Sequence, residues 1–118
     1  ILDLTSDFAG LKKQTGNDIY EGKRTVMLVH LFRAVKGRDK TRLVEIMAKK
    51  REEKTAEEVL WVIELMKKYG SLEYAQKLAE KFACEARDIF EKKLGFLKHQ
   101  PARDQLKSGI DFILEREF

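Results

Sequence analysis

Residues 55–70 read TAEEVLWVIELMKKYG, and this stretch decides the fold class. Thr55 and Glu58 have the spacing of a capping box, in which each side chain accepts a hydrogen bond from the other residue's backbone N–H. Apolar residues then recur every three or four positions, and Gly70 is suited to end the helix. The residues predicted to share one helical face are Val59, Leu60, Val62, Ile63, Met66 and Tyr69. This segment therefore predicts an amphipathic helix.

The rest of the chain divides into similar blocks, and no stretch shows the alternating pattern of a strand. We expect helices at about 23–35, ended by Gly37, at 39–50 with Asp39 as its N-cap, and at 71–94 with Ser71 as its cap. Pro101 suits the first turn of a final helix. Short connections favour antiparallel neighbours, so the fold class is all-α and the architecture a helical bundle.

Several side chains beyond the first helix are predicted to be buried or exposed from pattern alone. We expect Cys84 in the core, His30 as a packing histidine, and the charged run 49–54 as a solvated turn. The predicted inner stripe of the long helix consists of Leu72, Ala75, Leu78, Ala79, Phe82, Ala83, Ala86, Ile89 and Phe90. The predicted inward residues of the last helix are Leu106, Ile110, Ile113 and Leu114.

Composition narrows the function classes. Charged residues make up 37% of the chain, but the net charge is only +4. Basic residues alternate with acidic ones, so we expect no nucleic-acid partner. A single cysteine allows no internal disulfide, which is compatible with a cytoplasmic location, and no apolar run predicts membrane insertion. Abundant Lys and Glu with few Asn and Gln is typical of proteins from thermophiles.

The chemistry-bearing residues lie in the first 25 positions. Asp3 and Asp7 would share a face if these residues end a helix, and two such carboxylates favour a cation between them. Mg²⁺ takes one or two carboxylates and fills its remaining positions with water and phosphate oxygens. Lysines at 12, 13 and 23 would bring positive charge to a diphosphate. A solvated loop of mixed charge explains the same spacing, so both interpretations stay open on spacing alone.

The order of these residues resembles that of the trans-isoprenyl diphosphate synthases, the polyprenyl synthase family. The matching segments are ILDLTSD at 1–7, LKKQTGNDI at 11–19 and EGKRT at 21–25. They correspond to the family's second aspartate-rich motif, its Gly-Lys turn, its Gly-x-Asp and its Glu-Gly-Lys-x-Thr. Lys-Lys stands here where Gly-Lys is usual. A weaker resemblance extends along the whole chain.

The resemblance implies a role for four residues. Asp3 matches the last aspartate of the aspartate-rich motif and would be a ligand of Mg²⁺. Asp18 would face the metal cluster without binding an ion directly. Lys13 and Lys23 would bind the diphosphate of the substrate. No residue is expected to act as a catalytic nucleophile, because the diphosphate leaves by ionisation.

The resemblance also implies a fold and an activity. Residues 1–118 would form the C-terminal portion of the isoprenoid synthase fold, as part of a single polyprenyl synthase domain. The enzyme would be a homodimeric prenyltransferase that condenses an allylic diphosphate with isopentenyl diphosphate into a linear isoprenyl diphosphate, such as geranylgeranyl diphosphate.

The first residue is Ile1, so we expect the chain to open inside the motif, with two aspartates directly before it. These 118 residues alone are then expected to be inactive, because most of the metal ligands would be missing. The alternatives are a non-catalytic helical interaction module and a regulatory subunit of the same family.

Overall fold

A computed structural model describes the backbone of residues 16–115 and the side chains as far as residue 112. The described part contains no β-strand, which confirms the all-α prediction. The helices are α1 (Asn17–Tyr20), α2 (Val26–Ala34), α3 (Gly37–Ala48), α4 (Ala56–Lys68), α5 (Ser71–Lys93) and α6 (Ala102–Glu115), with a 3-10 turn at Arg51–Glu53. The chain divides into two compact units with the boundary after Ala75, so α5 begins in the first unit and continues in the second.

The N-terminal caps of two helices follow directly from local sequence. Thr55 caps α4, since its Oγ1 accepts from the backbone N–H of Glu58 at 3.2 Å and its own N–H donates to the Glu58 carboxylate at 3.1 Å. The predicted capping box is therefore confirmed. Thr25 caps α2 with its side chain alone, accepting from the N–H of Leu28 at 3.3 Å. Each cap gives a partner to an N–H that the first helical turn would leave unsatisfied.

The predicted boundary between α2 and α3 is partly wrong. Gly37 has the left-handed φ of +61° that a helix-ending glycine adopts, but it is the first residue of α3 rather than the cap of α2. Val35 and Lys36 are extended and separate the two helices, so Lys36 occupies the N-cap position predicted for Asp39. Asp39 instead lies in the first turn of α3, where a carboxylate is favoured by the helix dipole.

One apolar core holds the first unit together, and α4 contributes most to it. α1 and α2 both pack against α4. The most completely buried large side chains are Leu31, Leu43, Val59, Val62 and Met66. The prediction that Leu60 lies on the buried face is wrong: it is 57% exposed, and Leu65 is buried in its place. His30 packs as predicted, with Nδ1 3.0 Å from the Oγ of the fully buried Ser71.

The second unit pairs the later part of α5 with α6. Ala83 and Phe90 are buried, and the Arg103 guanidinium lies 5.2 Å from the centre of the Phe90 ring. Arg87 donates to the Asp111 carboxylate, with its Nε at 2.7 Å. Among the described side chains of this unit, four predicted core positions are wrong because the residues are exposed to solvent: Phe82, Cys84, Ile89 and Leu106. The predicted inward residues Ile113 and Leu114 lie outside the described side chains.

Candidate functional site

The structure describes two of the four predicted site residues. Asp18 lies on α1 and Lys23 lies in the link between α1 and α2. Asp3 and Lys13 lie outside the described residues. The site is therefore built from the segment 16–25 and from what packs against it.

The backbone of this segment folds back on itself. Gly16 opens α1 with a φ of +78°, and its carbonyl accepts from the N–H of Ile19 at 2.9 Å and of Tyr20 at 3.1 Å. Gly22 takes a φ of +68°, a conformation that costs glycine little, and the N–H of Lys23 then reaches the Asp18 carbonyl at 2.9 Å. Two glycines thus bring Lys23 back beside Asp18.

The same segment is anchored on its apolar side. Ile19 and Tyr20 are 3% and 7% exposed, and both belong to the core that α4 dominates. A Cβ on Gly16 would lie 2.6 Å from Cγ1 of Val59, so the backbone passes too close to α4 for any side chain there. The polar residues of the turn are consequently held on a rigid base.

Lys23 lies between two carboxylates. Its Nζ is 2.8 Å from Oδ1 of Asp18 and 2.9 Å from Oε2 of Glu21. The hydrogen bonds to Asp18 and then to Glu21 raise the pKa of Lys23, so its ammonium is charged throughout the physiological range. The Lys23 side chain is 53% exposed. A charged ammonium is thereby held in a defined place while remaining accessible to a ligand.

Two residues that support this turn were missed by sequence reasoning. Arg51 donates from Nη1 to Oε1 of Glu21 at 3.1 Å and from Nη2 to Oδ1 of Asn17 at 2.8 Å. Lys54 is only 7% exposed and donates from Nζ to the Tyr20 carbonyl at 2.9 Å. The prediction that 49–54 is simply a solvated turn is therefore wrong at Lys54, whose pKa is lowered by burial. No spacing rule links positions 51 and 54 to position 20, so only the fold could reveal them.

The described carboxylates do not form a metal centre by themselves. Within residues 16–112 no group of three His, Cys, Asp or Glu side chains is placed to hold an ion. Asp18 and Glu21 supply hard oxygen atoms of the kind Mg²⁺ prefers, but both already bind the Lys23 ammonium. A metal at this site would draw its ligands from elsewhere, as the prediction for Asp3 requires.

Open grooves lie on the described surface of the first unit. One of about 500 Å³ lies between α3 and α4 and is lined by Arg38, Arg42, Lys49 and Glu58 among others. Another of about 280 Å³ runs along α2 from Arg24, the residue after Lys23, to Arg33. Its floor is apolar, so the groove that continues from the EGKRT motif combines cationic ends with a hydrophobic wall.

None of the described helices is both long enough and apolar enough to span a bilayer.

Comparison with known proteins supports the family resemblance carried by the motifs of the first 25 residues. Residues 1–66 match the family model described as polyprenyl synthetase, and this range includes the whole segment 16–25. The chain is 36% identical over 116 residues to the short chain isoprenyl diphosphate synthase of Methanothermobacter thermautotrophicus, an alignment that covers 98% of this chain and 33% of the relative.

Other curated relatives have similar names. Over 118 residues the chain is 29% identical to the geranylgeranyl diphosphate synthase of Methanosarcina mazei, covering 100% of this chain and 33% of the relative. Over 88 residues it is 36% identical to the geranylgeranyl diphosphate synthase of Sulfolobus acidocaldarius, covering 75% and 26% respectively. The chain thus spans about a third or less of the length of these relatives.

No solved structure matches the chain significantly. The family model nevertheless covers more than half of the 118 residues, including the Gly16–Thr25 turn that holds Lys23 between Asp18 and Glu21. This chain belongs to the polyprenyl synthetase family.

Proposed function

We propose that this chain is part of a Mg²⁺-dependent prenyltransferase that condenses an allylic diphosphate with isopentenyl diphosphate to make a linear isoprenyl diphosphate. Family membership supports the reaction class, and the names of the relatives support the product class. The observation that carries the proposal is the Lys23 ammonium, which is charged, accessible and held between Asp18 and Glu21 by a turn whose apolar side is buried. The proposed protein is a homodimer.

The residue types suit the chemistry. When the carbon–oxygen bond of an allylic diphosphate breaks, negative charge grows on the departing pyrophosphate, and a cation already in place stabilises that charge without reorganising. Lys23 would supply such a cation, and Lys13 would supply a second. Asp18 would keep Lys23 oriented by the 2.8 Å ion pair. Mg²⁺, when bound through Asp3, would neutralise further diphosphate charge.

The apolar surroundings also suit the reaction. A carbocation is captured by water, so a site that forms one must exclude solvent. The Ile19 and Tyr20 side chains beneath the turn and the apolar floor of the α2 groove are compatible with this requirement. In the proposed reaction the allylic carbocation is attacked by the double bond of isopentenyl diphosphate, and transfer of a proton to the departing pyrophosphate completes the product.

The test is transfer of radiolabelled isopentenyl diphosphate by the protein translated from its complete gene. Replacing Lys23 by Ala is expected to lower kcat/KM by about two to three orders of magnitude, as removal of one transition-state charge partner does elsewhere. Lys67→Ala is the matched control, because Lys67 is also 53% exposed and also pairs with a carboxylate, that of Glu64.

Circular dichroism is expected to show the same helical content in both variants. Equal turnover in the Lys23 and Lys67 variants would overturn the site assignment. Absence of transfer by the unsubstituted protein would instead favour a regulatory subunit of the family.

A further inference from the structure

Glu21 joins two cations that are far apart in the sequence. Its Oε2 lies 2.9 Å from Nζ of Lys23, and its Oε1 lies 3.1 Å from Nη1 of Arg51. The side-chain amide of Asn17 also donates to Oε1 at 2.8 Å. The hydrogen bonds from Lys23 and Asn17 lower the pKa of Glu21, so the carboxylate is ionised at neutral pH. Oε2 of Glu21 thus accepts from Lys23, and Oε1 accepts from both Asn17 and Arg51.

Both terminal nitrogens of the Arg51 guanidinium form hydrogen bonds with side chains of the turn. One terminal nitrogen binds Glu21 and the other binds Oδ1 of Asn17, at 3.1 and 2.8 Å. The guanidinium carbon also lies 5.9 Å from the centre of the Tyr20 ring. A planar fork can make two such bonds with fixed geometry, whereas a lysine ammonium acts as a point charge. The arrangement therefore depends on arginine rather than on positive charge alone.

The support behind Arg51 is itself anchored. Arg51 opens the 3-10 turn Arg51–Glu53, which is closed by the bond from the Lys50 N–H to the Glu53 carboxylate at 2.9 Å. The next residue, Lys54, is buried and donates to the Tyr20 carbonyl of α1 at 2.9 Å. Displacing this turn from α1 would break a buried hydrogen bond. The Arg51 guanidinium consequently binds Glu21 from a 3-10 turn that is itself fixed against α1.

We propose that Arg51 and Glu21 are positioning residues for Lys23: Arg51 fixes the Glu21 carboxylate, and Glu21 fixes the Lys23 ammonium where a diphosphate binds. The inference rests on the proposed function and adds to it the residues that hold Lys23 in position. A free lysine side chain samples many rotamers and loses that freedom when it binds a ligand. A lysine already held by Asp18 and Glu21 loses less conformational freedom. This favours both binding of the diphosphate and cleavage of its carbon–oxygen bond.

The test compares Arg51→Met with Arg51→Lys and with Arg87→Met in the complete enzyme. Arg87 is the matched control because it is similarly exposed, at 40% against 44%, and also pairs with a distant carboxylate, Asp111. We expect Arg51→Met to lower kcat/KM for the allylic diphosphate by about 10- to 100-fold, the range expected for a misplaced catalytic group. Arg51→Lys should have a kcat/KM close to that of Arg51→Met, and Arg87→Met should leave kcat/KM unchanged.

A double-mutant cycle separates positioning from stability. If Arg51 acts through Glu21 on Lys23, then Arg51→Met should cause little further loss of kcat/KM in a Glu21→Gln or a Lys23→Ala background. Binding of inorganic pyrophosphate, measured by calorimetry, should weaken in parallel. Arg51→Lys serves as the reporter if Arg51→Met fails to fold.

The outcomes distinguish this inference from the proposed function. Full activity of Arg51→Met, or an equal loss in the Lys23→Ala background, would overturn the positioning role while leaving the prenyltransferase assignment intact. Activity of Arg51→Lys equal to that of the unsubstituted enzyme would show that positive charge alone suffices. It would overturn the claim that the two hydrogen bonds of the guanidinium are required. Absence of turnover in the unsubstituted enzyme would overturn both proposals.

Discussion

Replacing Gly16 by alanine tests whether the site turn is held by its close approach to α4. Gly16 has a φ of +78°, and a Cβ added there would lie 2.6 Å from Cγ1 of Val59 and 3.3 Å from Cδ1 of Ile63. Val59 is 2% exposed and β-branched, so it has little freedom to rotate away. The substitution therefore combines a strained backbone with an overlap in the core.

The expected magnitude is the sum of two effects. A non-glycine residue in the left-handed region costs about 1–2 kcal/mol. Forcing an extra methyl into a packed core costs about 1–3 kcal/mol more. Gly16→Ala should therefore lower the free energy of unfolding by about 2–5 kcal/mol.

Gly37→Ala is the control that isolates the second effect. Gly37 has a similar φ of +61°, but no atom lies within 4 Å of the position its Cβ would take. This variant should lose only the backbone cost of about 1–2 kcal/mol. The difference between the two variants then measures the contact with α4.

Urea unfolding followed by far-UV circular dichroism provides the measurement. The double variant Gly16→Ala, Val59→Ala should be more stable than the sum of the single effects predicts, since removing Cγ1 of Val59 relieves the overlap. Equal losses at Gly16 and Gly37, together with additive behaviour in the double variant, would refute the reasoning.

Three further predictions concern caps, core and pH. Thr55→Ala should lower stability by about 1 kcal/mol in urea unfolding, whereas Thr55→Ser, which keeps the capping hydroxyl, should lose much less. Leu31→Ala should cost about 2–5 kcal/mol because Leu31 is 0% exposed, while Leu60→Ala, at 57% exposed, should cost under about 1 kcal/mol; similar losses would contradict the core assignment. The hydrogen bond from Lys49 lowers the pKa of Glu58, so its stabilising contribution is present above the ordinary carboxyl pKa and disappears as pH falls through the lower folded-state value. The difference in free energy of unfolding between the unsubstituted protein and Glu58→Gln should therefore narrow as the pH falls from above the ordinary carboxyl pKa to below the lower folded-state pKa, and a constant difference in unfolding experiments would argue against this linkage.

Local sequence predicted the elements whose cause is local. The Thr55 and Glu58 capping box forms as expected because both partners lie within one helical turn. Gly70 follows the end of α4 with a φ of +66°, the conformation that glycine adopts most readily at a helix end. His30 packs as expected, although its partners Ser71 and Tyr74 lie more than forty residues away. The order of residues along the first 25 positions also carries the family resemblance, which implies Lys23 as a candidate ligand for a diphosphate.

Burial was less predictable, because periodicity shows which face of a helix is apolar but not whether another element covers it. Phe82 and Ile89 share the apolar pattern of α5 with the buried Phe90, yet they are 59% and 51% exposed. Cys84 and Leu106 are exposed for the same reason. Whether such a side chain is covered depends on elements distant in the sequence, which a pattern within one helix does not contain.

The sequence by itself determined the all-α class, the Thr55 capping box and the Gly70 terminus of α4, and the motif that marks the family, since each depends on residues a few positions apart. Only the tertiary structure decided that Lys54 is buried beneath Tyr20 and that Arg51 reaches Glu21, because these contacts join residues 30 or more positions apart. A charged run gives no local sign of such partners. The physical reason is that hydrogen-bond partners and burial depend on proximity in space, which the chain acquires only when α1, the 3-10 turn and α4 pack together.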